Sequence, residues 1–308
     1  MKTALRDSLA SFCRSVPYFK GKYRLASALV PLLTNYQVEQ ECLVTVKMQD
    51  GSIIKLDLRS LLEQKVFFTG EYDSDIIHIL SKTLHPGVVI LDIGANIGLY
   101  SIALAEKLKQ ISNNGQIWAF EPTPTNFQRL SNLVEINNLN NTVYPINTAL
   151  GNIEGNIQLC LVDEKNNSST GNAFWLKEGL PNLEKATCTA PITKLDTFVQ
   201  QNSITKCDLI KVDIEGAEME FLLGGMSFIQ KTRPIIYGEF NPFWVKHFGY
   251  SFVDVAKLFM PWEYKFYQQV GRKSFVEITE LKEGICDVLM IPQEKLTGIY
   301  SQLNTLLR

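Results

Sequence analysis

The stretch from Val88 to Ser101 constrains the fold most, because it predicts a buried strand, a tight glycine turn and the start of a helix. Val88 to Leu91 is a short apolar run of the kind found in parallel strands that are covered on both faces. Gly94 and Gly98 bracket the turn, where glycine permits a close ligand approach that a Cβ would hinder. Open α/β sheets bind ligands where the carboxyl end of a strand meets such a turn.

The rest of the chain continues this strand–helix alternation and predicts a doubly wound, Rossmann-like sheet with helices on both faces. Further strands are expected at 116–120, 142–147, 208–213 and 233–239, and helices at 126–137, 195–201, 215–223 and 252–260. Two last strands, 264–270 and 286–291, with a turn at Gly271, would close a seven-stranded sheet as an antiparallel pair. The polar segment 152–190 predicts an extra hairpin at 156–162 and a mobile loop around 166–172, serving either as a substrate lid or as a plain insertion.

The first 85 residues are expected to form an N-terminal extension to a catalytic domain at 86–308. Asp50-Gly51 between two alternating runs predicts a β-hairpin over 42–58. Short helices are expected at 60–65 and 72–84. Residues 1–25 carry six basic residues against one acid, with apolar residues at helical spacing. That pattern suits either a solvated helix packed on the core, the interpretation we favour, or a helix that contacts an anionic membrane surface or an anionic substrate.

Composition excludes several classes of protein. A net charge of −2 argues against a dedicated nucleic-acid binder. No apolar run approaches the roughly 20 residues of a transmembrane helix, and no secretory signal pattern is found, so we expect a cytoplasmic protein. Six scattered cysteines and three histidines do not have the spacing of a zinc site. Composition does not predict the oligomeric state.

Acidic residues follow three of the predicted strands. Asp92 comes two residues before Gly94, and a carboxylate beside the turn suits a cationic ligand better than the pyrophosphate of a Gly-x-Gly-x-x-Gly site. Glu121 ends the next strand, where its two oxygens could accept both hydroxyls of a ribose. Asp213 ends the fourth strand, near the expected reactive end of the ligand. Glu121 also has a plainer interpretation, as an acid at the surface end of a strand.

The residues around Asp213 leave several alternatives open. Glu215 and Glu218 fall in the first turn of the next predicted helix, where they would complement its dipole. Glu239 and Asn241 end the fifth strand and, with Asp213, could hold Mg²⁺, orient a substrate hydroxyl or face solvent. We expect no resident metal.

Aromatic residues are dense just past the fifth strand. Phe243 and Trp244 occupy the place of a substrate wall, and His247 follows them as either a structural residue or a base.

Three motifs together resemble the FkbM-type S-adenosylmethionine-dependent methyltransferases. They are the Asp92–Gly98 turn, Phe120-Glu-Pro122, and the segment Leu209-Ile-Lys-Val-Asp-Ile-Glu-Gly-Ala-Glu218. The hairpin and Phe68-Thr-Gly-Glu-Tyr72 resemble the usual lead-in of that family, so the resemblance covers roughly 45–290. It implies a seven-stranded class I methyltransferase fold, S-adenosylmethionine as cofactor, and O-methylation of a sugar hydroxyl in a glycan, glycolipid or natural product.

S-adenosylmethionine agrees with the chemistry of these residues. Asp92 can serve its ammonium group, Glu121 its ribose, and the segment 147–150 its adenine. The expected cofactor-binding residues are Asp92, Gly94, Asn96, Gly98, Glu121, Ala149, Leu150 and Asp213. The expected catalytic residues are Asp213, Glu239 and His247, with the two strand-end acids preferred as the base. The alternatives are a nicotinamide-dependent oxidoreductase and a non-catalytic, nucleoside-binding member of the fold.

Overall fold

The computed structural model of the chain describes residues 2–16, 42–112, 114–161, 173–176, 187–270, 274–280 and 284–297. These residues form two compact units, one before Asp75 and one from Asp75 onward. The predicted boundary after residue 85, between the N-terminal extension and the catalytic domain, stays a prediction. Of the described helices, none combines the length and the apolar character needed to cross a membrane. All six cysteines are free thiols.

The first unit contains a helix, a β-hairpin and a second helix. Its elements are α1 (Lys2–Ser15), β1 (Leu43–Lys47), β2 (Ile53–Asp57) and α2 (Leu61–Thr69). The two strands pair antiparallel, with Leu43 opposite Asp57, which confirms the hairpin predicted from Asp50-Gly51. Ser60 caps α2 by accepting a hydrogen bond from the Glu63 N–H.

Helix α1 confirms the predicted helix for residues 2–15, whereas 17–25 lie outside the described ranges. The guanidinium groups of Arg6 and Arg14 each lie 5.5 Å from the centre of the Phe67 ring on α2. Leu5 and Phe12 remain 58% and 65% exposed. The helix therefore packs through its arginines by cation–π contact, and part of the predicted apolar stripe faces outward.

The second unit contains the remaining elements. Its strands are β3 (Val89–Ile93), β4 (Gln116–Phe120), β5 (Val143–Ile146), β6 (Ala149–Leu150), β7 (Gly155–Leu161), β8 (Ala173–Trp175), β9 (Thr187–Thr193), β10 (Leu209–Val212), β11 (Ile235–Glu239), β12 (Tyr264–Gln269), β13 (Phe275–Glu277) and β14 (Asp287–Pro292). Helix α3 (Ser74–Ser81) comes first and begins at the last residue before Asp75. The helices that follow are α4 (Leu99–Lys109), α5 (Pro124–Ile136), α6 (Leu195–Gln201), α7 (Glu218–Gly224), α8 (Met226–Thr232), α9 (Pro242–His247) and α10 (Phe252–Phe259).

The large sheet has the strand order β13-β12-β14-β11-β10-β3-β4-β5. From β11 to β5 neighbouring strands are parallel, and β14, β12 and β13 add antiparallel pairs. Every residue of β3 and β10 is buried, as expected for central strands with helices on both faces. This confirms the predicted α/β class with its antiparallel closing strands.

The predicted count of seven strands was one too low. The additional strand is β13, whose three residues pair antiparallel with β12, so that Phe275 lies opposite Gln269. Three residues are too few for an alternating pattern to stand out, and pairing with the exposed edge of β12 makes this segment extended. The predicted turn at Gly271 lies outside the described residues.

The insertion before α6 contains a second sheet of order β6-β9-β7-β8. The hairpin predicted at 156–162 was wrong in its bounds, because residues 155–161 form the single strand β7. This strand pairs antiparallel with both β8 and β9, whose residues come later in the chain. Ile157, Leu159, Ala190 and Ile192 form its small core. The predicted mobile loop at 166–172 lies outside the described residues.

Candidate active site

The candidate site lies at the carboxyl ends of β3 and β10, where the strand order of the large sheet reverses. These strands are parallel neighbours, with Asp92 opposite Lys211 and Ile93 opposite Val212. From here the sheet continues through β4 on one side and through β11 on the other. Open α/β sheets bind ligands in the crevice at such a switch point.

The turn after β3 is held by the backbone of the protein itself. Gly94 and Asn96 have positive φ angles of 75° and 52°. The N–H groups of Gly94 and Ala95 both donate to the Phe120 carbonyl, at 3.0 and 2.9 Å. A Cβ at Gly94 would lie 2.0 Å from the carbonyl oxygen of Asp213. Glycine is therefore needed here so that the ends of β3 and β10 can approach each other, in addition to any approach by a ligand.

Glycine is also required at position 98 by packing within the fold. It is the N-cap of α4, with a φ of 95°. A Cβ there would lie 2.4 Å from Cδ1 of Leu130 on α5. The second glycine of the motif thus lets the helices after β3 and β4 pack closely.

Glu121 follows β4 and is buried beside the glycine turn. Its Oε2 accepts the N–H of Asn96 and its Oε1 accepts the N–H of Thr123, each at 2.9 Å. Burial raises the pKa of Glu121, against the opposing effect of these hydrogen bonds. Each oxygen keeps a second lone pair, so the carboxylate can accept further donors such as a pair of hydroxyls. The amide of Asn147 donates to the Glu121 carbonyl at 2.9 Å and holds the segment in place.

Ala149 and Leu150 form β6, which pairs with β9. Leu150 is buried in the main core, and Ala149 is partly buried against the core of the smaller sheet. Their predicted contact with adenine stays a prediction, and Ala149 is the more accessible of the two.

Lys211 is the central residue of the site, and the sequence analysis did not single it out. Its ammonium Nζ lies 3.4 Å from Asp92 Oδ1 and 3.8 Å from Asp213 Oδ2. It also donates to the Gly94 carbonyl at 2.9 Å. Burial acts to lower the pKa of Lys211, but the carboxylates of Asp92 and Asp213 outweigh it and the pKa is raised. The sequence did contain a signal for this residue, because Lys211 is the one charged side chain in an otherwise apolar four-residue strand.

Asp92 is buried, and its two oxygens face groups of the protein. Oδ2 accepts the hydroxyl of Ser101 at 2.6 Å, and Oδ1 faces Lys211. Asp92 therefore connects β3 to α4 and to β10. Its predicted contact with the ammonium of a ligand stays a prediction. The cation beside it in the fold is Lys211.

Carboxylates outnumber cations at this edge. Burial raises the pKa of Glu215 to about 8, with Asp213 and Glu239 adding to the effect. Burial likewise raises the pKa of Glu239 to about 7, together with the charges of Asp213 and of Asp287, which lies opposite it on β14. Near neutral pH this cluster therefore contains a group that can take up or release a proton.

The turn from Asp213 to Glu218 is not helical, which corrects the helix predicted from Glu215. Glu215 and Gly216 have φ angles of 53° and 101°, which an α-helix does not allow, and α7 begins at Glu218. Oε1 of Glu218 accepts the N–H groups of Ile214 and Gly216, at 3.1 and 3.2 Å. The Tyr250 hydroxyl lies 2.7 Å from the other oxygen of Glu218. Glu218 therefore stabilises the turn, and burial raises its pKa to about 7.

His247 and Asn241 lie at the two ends of α9. Asn241 caps the helix by accepting the N–H of Phe243 at 3.0 Å. His247 is exposed, with Nδ1 2.6 Å from the Phe243 carbonyl and its ring close to the rings of Phe243 and Trp244. The described contacts of this histidine are thus with its own helix, whereas Asp92, Lys211 and Asp213 are in direct contact. Within the described ranges, no group of three or more His, Cys, Asp and Glu side chains has the geometry of a metal site.

The chain is similar to known methyltransferases. Residues 92–268 match the methyltransferase FkbM domain family. The hexuronic acid methyltransferase AglP of Haloferax volcanii is 26% identical over 186 residues, which cover 60% of this chain and 67% of AglP. The 2-O-methyltransferase NoeI of Sinorhizobium fredii is 27% identical over 203 residues, which cover 63% of this chain and 80% of NoeI.

A crystal structure of the methyltransferase FkbM from Methylobacillus flagellatus superposes with a TM-score of 0.43 at 15% identity. The aligned region covers 67% of this chain and 44% of that one. Because the family match extends over more than half of the chain, the protein belongs to the FkbM methyltransferase family. This confirms the predicted family, its class I methyltransferase fold and the predicted enzyme class, a methyltransferase.

Gly94→Ala should destabilise the protein far more than Gly249→Ala. Both glycines have a positive φ, but only at Gly94 would a Cβ meet the backbone, and at Gly249 it meets nothing within 4 Å. We expect a loss in the free energy of unfolding of about 3 kcal/mol for Gly94→Ala and about 1 kcal/mol for Gly249→Ala. Urea denaturation measures both, and equal losses would contradict the packing described here.

Lys211→Met should lower the free energy of unfolding by about 3 kcal/mol, because it leaves the buried Asp92 without its cation. Lys265→Met, which removes an exposed pair with Glu277, should cost less than about 1 kcal/mol. Adding Asp92→Asn to Lys211→Met should restore part of the loss. Urea denaturation of Lys211→Met, Asp92→Asn, the double variant and Lys265→Met tests the coupling, and strictly additive losses in the double variant would argue against the ion pair.

Glu239→Gln should stabilise the protein relative to wild type more at pH 8 than at pH 5. A carboxyl whose pKa rises from 4.5 to about 7 on folding contributes stability that is present below pH 4.5 and is lost as pH rises through 7. The neutral amide avoids that loss. We expect a difference of about 1 kcal/mol, less than the full shift because the side chain is partly exposed. Glu135→Gln, on the exposed face of α5, should show no such difference in urea denaturation.

Proposed function

We propose that the protein is an S-adenosylmethionine-dependent O-methyltransferase that acts on a sugar hydroxyl of a glycan, glycolipid or natural product. The observation that carries the proposal is the arrangement of acids along one sheet edge. Glu121, suited to a ribose, follows β4, while Asp213 and Glu239 lie at the ends of β10 and β11. Membership of the family supports methyl transfer. The names of AglP and NoeI support a sugar as the acceptor.

The residues of this edge fit S-adenosylmethionine. The free lone pairs of Glu121 suit the two ribose hydroxyls, and the turn from Gly94 to Gly98 would lie against the ligand. Ala149 and Leu150 offer apolar surface for adenine. The side chain of Asp213 is 34% exposed, so it is better placed than the buried Asp92 for direct contact with the ammonium group. When bound, the cofactor supplies an electrophilic methyl group.

The contribution of the chain is positioning and proton removal. The acids at the rigid strand ends would hold the acceptor oxygen for attack on the methyl group that the cofactor would supply, and such positioning accounts for much of the rate enhancement in transfers of this kind. A sugar hydroxyl must lose its proton as it attacks. Glu239, whose pKa of about 7 matches that task, is the proposed base, with Asp213 beside it. His247 is the third candidate, and its described contacts do not include these acids.

Glu121→Gln and Glu239→Gln should separate cofactor binding from turnover. We expect Glu121→Gln to weaken binding of S-adenosylhomocysteine about 10-fold, because it loses the charge that accepts the hydroxyls. Glu239→Gln should leave that binding unchanged and lower kcat about 100-fold. Calorimetry gives the affinity, and transfer of a radiolabelled methyl group to oligosaccharides and glycolipids gives kcat.

Glu135→Gln serves as the control for a surface acid, and His247→Gln tests the alternative base. If His247→Gln rather than Glu239→Gln abolished turnover, the assignment of the base would be wrong. Tight binding of S-adenosylhomocysteine without methyl transfer to any acceptor would favour a non-catalytic member of the fold. Hydride transfer with added NAD or NADP, in the absence of cofactor binding, would favour an oxidoreductase.

A further inference from the structure

We propose that an aromatic wall beside the carboxylates binds the apolar C–H face of the acceptor's sugar ring. The aromatic wall consists of Phe174 and Trp175 on β8 and of Phe243, Trp244 and Phe248 on α9 and its C-cap. This inference rests on the proposed function and extends it to the mode of acceptor binding. It also gives the inserted second sheet a role.

The aromatic wall is built from rings that support one another. The rings of Phe174 and Trp244 have centroids 4.6 Å apart at 37°, and those of Phe243 and Trp244 lie 5.1 Å apart, edge to face. The rings of Trp175 and Phe248 are 6.4 Å apart. Phe174 is buried behind Trp244, so the tryptophan is supported from within the fold. Such contacts hold rings in defined orientations.

The front of the wall is open to solvent. Phe243 is 61% exposed, although its neighbours on the wall are buried or half-buried. A phenylalanine left in water forgoes the free energy that burial would provide. An exposed ring on a rigid aromatic support, next to convergent polar groups, is typical of a ligand site.

The wall is placed beside the proposed reacting groups. A Cβ at Gly216 would lie 3.0 Å from Cβ of Trp244 and 2.7 Å from Cδ2 of Phe248, so α9 packs directly on the turn that follows Asp213. Helix α9 also begins shortly after Glu239 on β11. A ligand on the aromatic wall is therefore at the same edge as both acids.

A sugar ring matches this combination of groups better than other occupants do. One face of a pyranose consists of C–H groups and packs on an aromatic plane, while its rim of hydroxyls requires hydrogen-bond acceptors. The wall provides the plane, and Asp213 and Glu239 provide acceptors beside it. An apolar acceptor would desolvate these carboxylates without donating a hydrogen bond to them, which is costly.

The second sheet supplies two of the five rings of the aromatic wall, Phe174 and Trp175. β8 is held by β7, with Cys160 opposite Phe174 and Leu159 opposite Trp175. The predicted alternatives for this insertion were a lid or a plain insertion. Because Phe174 and Trp175 belong to the aromatic wall, the inserted sheet contributes to acceptor specificity.

Saturation-transfer NMR on the full chain with S-adenosylhomocysteine added tests the proposal. The probes are methyl β-D-glucopyranosiduronate and methyl β-D-glucopyranoside, with sorbitol as a polyol that lacks a ring face. We expect saturation on the ring C–H protons of the glycosides and none on sorbitol. Phe243→Ser should weaken glycoside binding about 10-fold, while Met260→Ser, at a residue 57% exposed after α10, should not change it.

Affinity for S-adenosylhomocysteine, measured by calorimetry, should be the same in Phe243→Ser and Met260→Ser. A third variant, Phe174→Leu, should weaken glycoside binding as Phe243→Ser does. Unchanged glycoside binding in Phe243→Ser would overturn the proposal, even if wild type methylates sugars. Conversion of a dimer to a monomer by Phe243→Ser, seen by sedimentation, would also overturn it, because the wall would then be a surface for self-association. Glycoside binding at the wall without methyl transfer would uphold it while contradicting the proposed function.

Discussion

The site depends on one buried cation, Lys211 on β10, which lies next to the acids at the carboxyl ends of β3 and β10. A charge so far from water is costly unless it is paired and hydrogen-bonded. Lys211 meets this condition through Asp92, Asp213 and the carbonyl of Gly94. These contacts join β3, β10 and the glycine turn, so the geometry of the whole switch point follows from satisfying one ammonium group.

The acids around Lys211 exceed what one cation can neutralise. Asp92 already contacts Ser101 and Lys211. The negative charge that Lys211 does not neutralise is therefore near Glu215 and Glu239, whose pKa values are raised to about 8 and 7. The same crowding that costs stability at high pH provides a group ready to accept a proton near neutral pH. The crowding of carboxylates around one lysine therefore accounts both for the pH dependence of stability and for the proposed base.

Elements with strong local signals were predicted closely. β4 and α6 have the predicted bounds, and the Asp50-Gly51 hairpin pairs as expected. The predictions were wrong where contacts between residues far apart in the chain determine the local conformation. Glu218 and Tyr250 hold the turn at Glu215 in a non-helical form, although the composition suits a helix. β13 is a strand because the edge of β12 is available to it.

The sequence by itself determined the alternation of strands and helices, the glycine turn and the acids at the carboxyl ends of β3, β4, β10 and β11. Short-range periodicity and turn chemistry encode these features locally. Only the tertiary structure decided that Lys211 faces Asp92, that Gly94 meets the backbone of Asp213, and that Phe174 lies against Trp244. Each of these contacts joins segments far apart in the chain, and no local pattern specifies which distant partner a side chain meets.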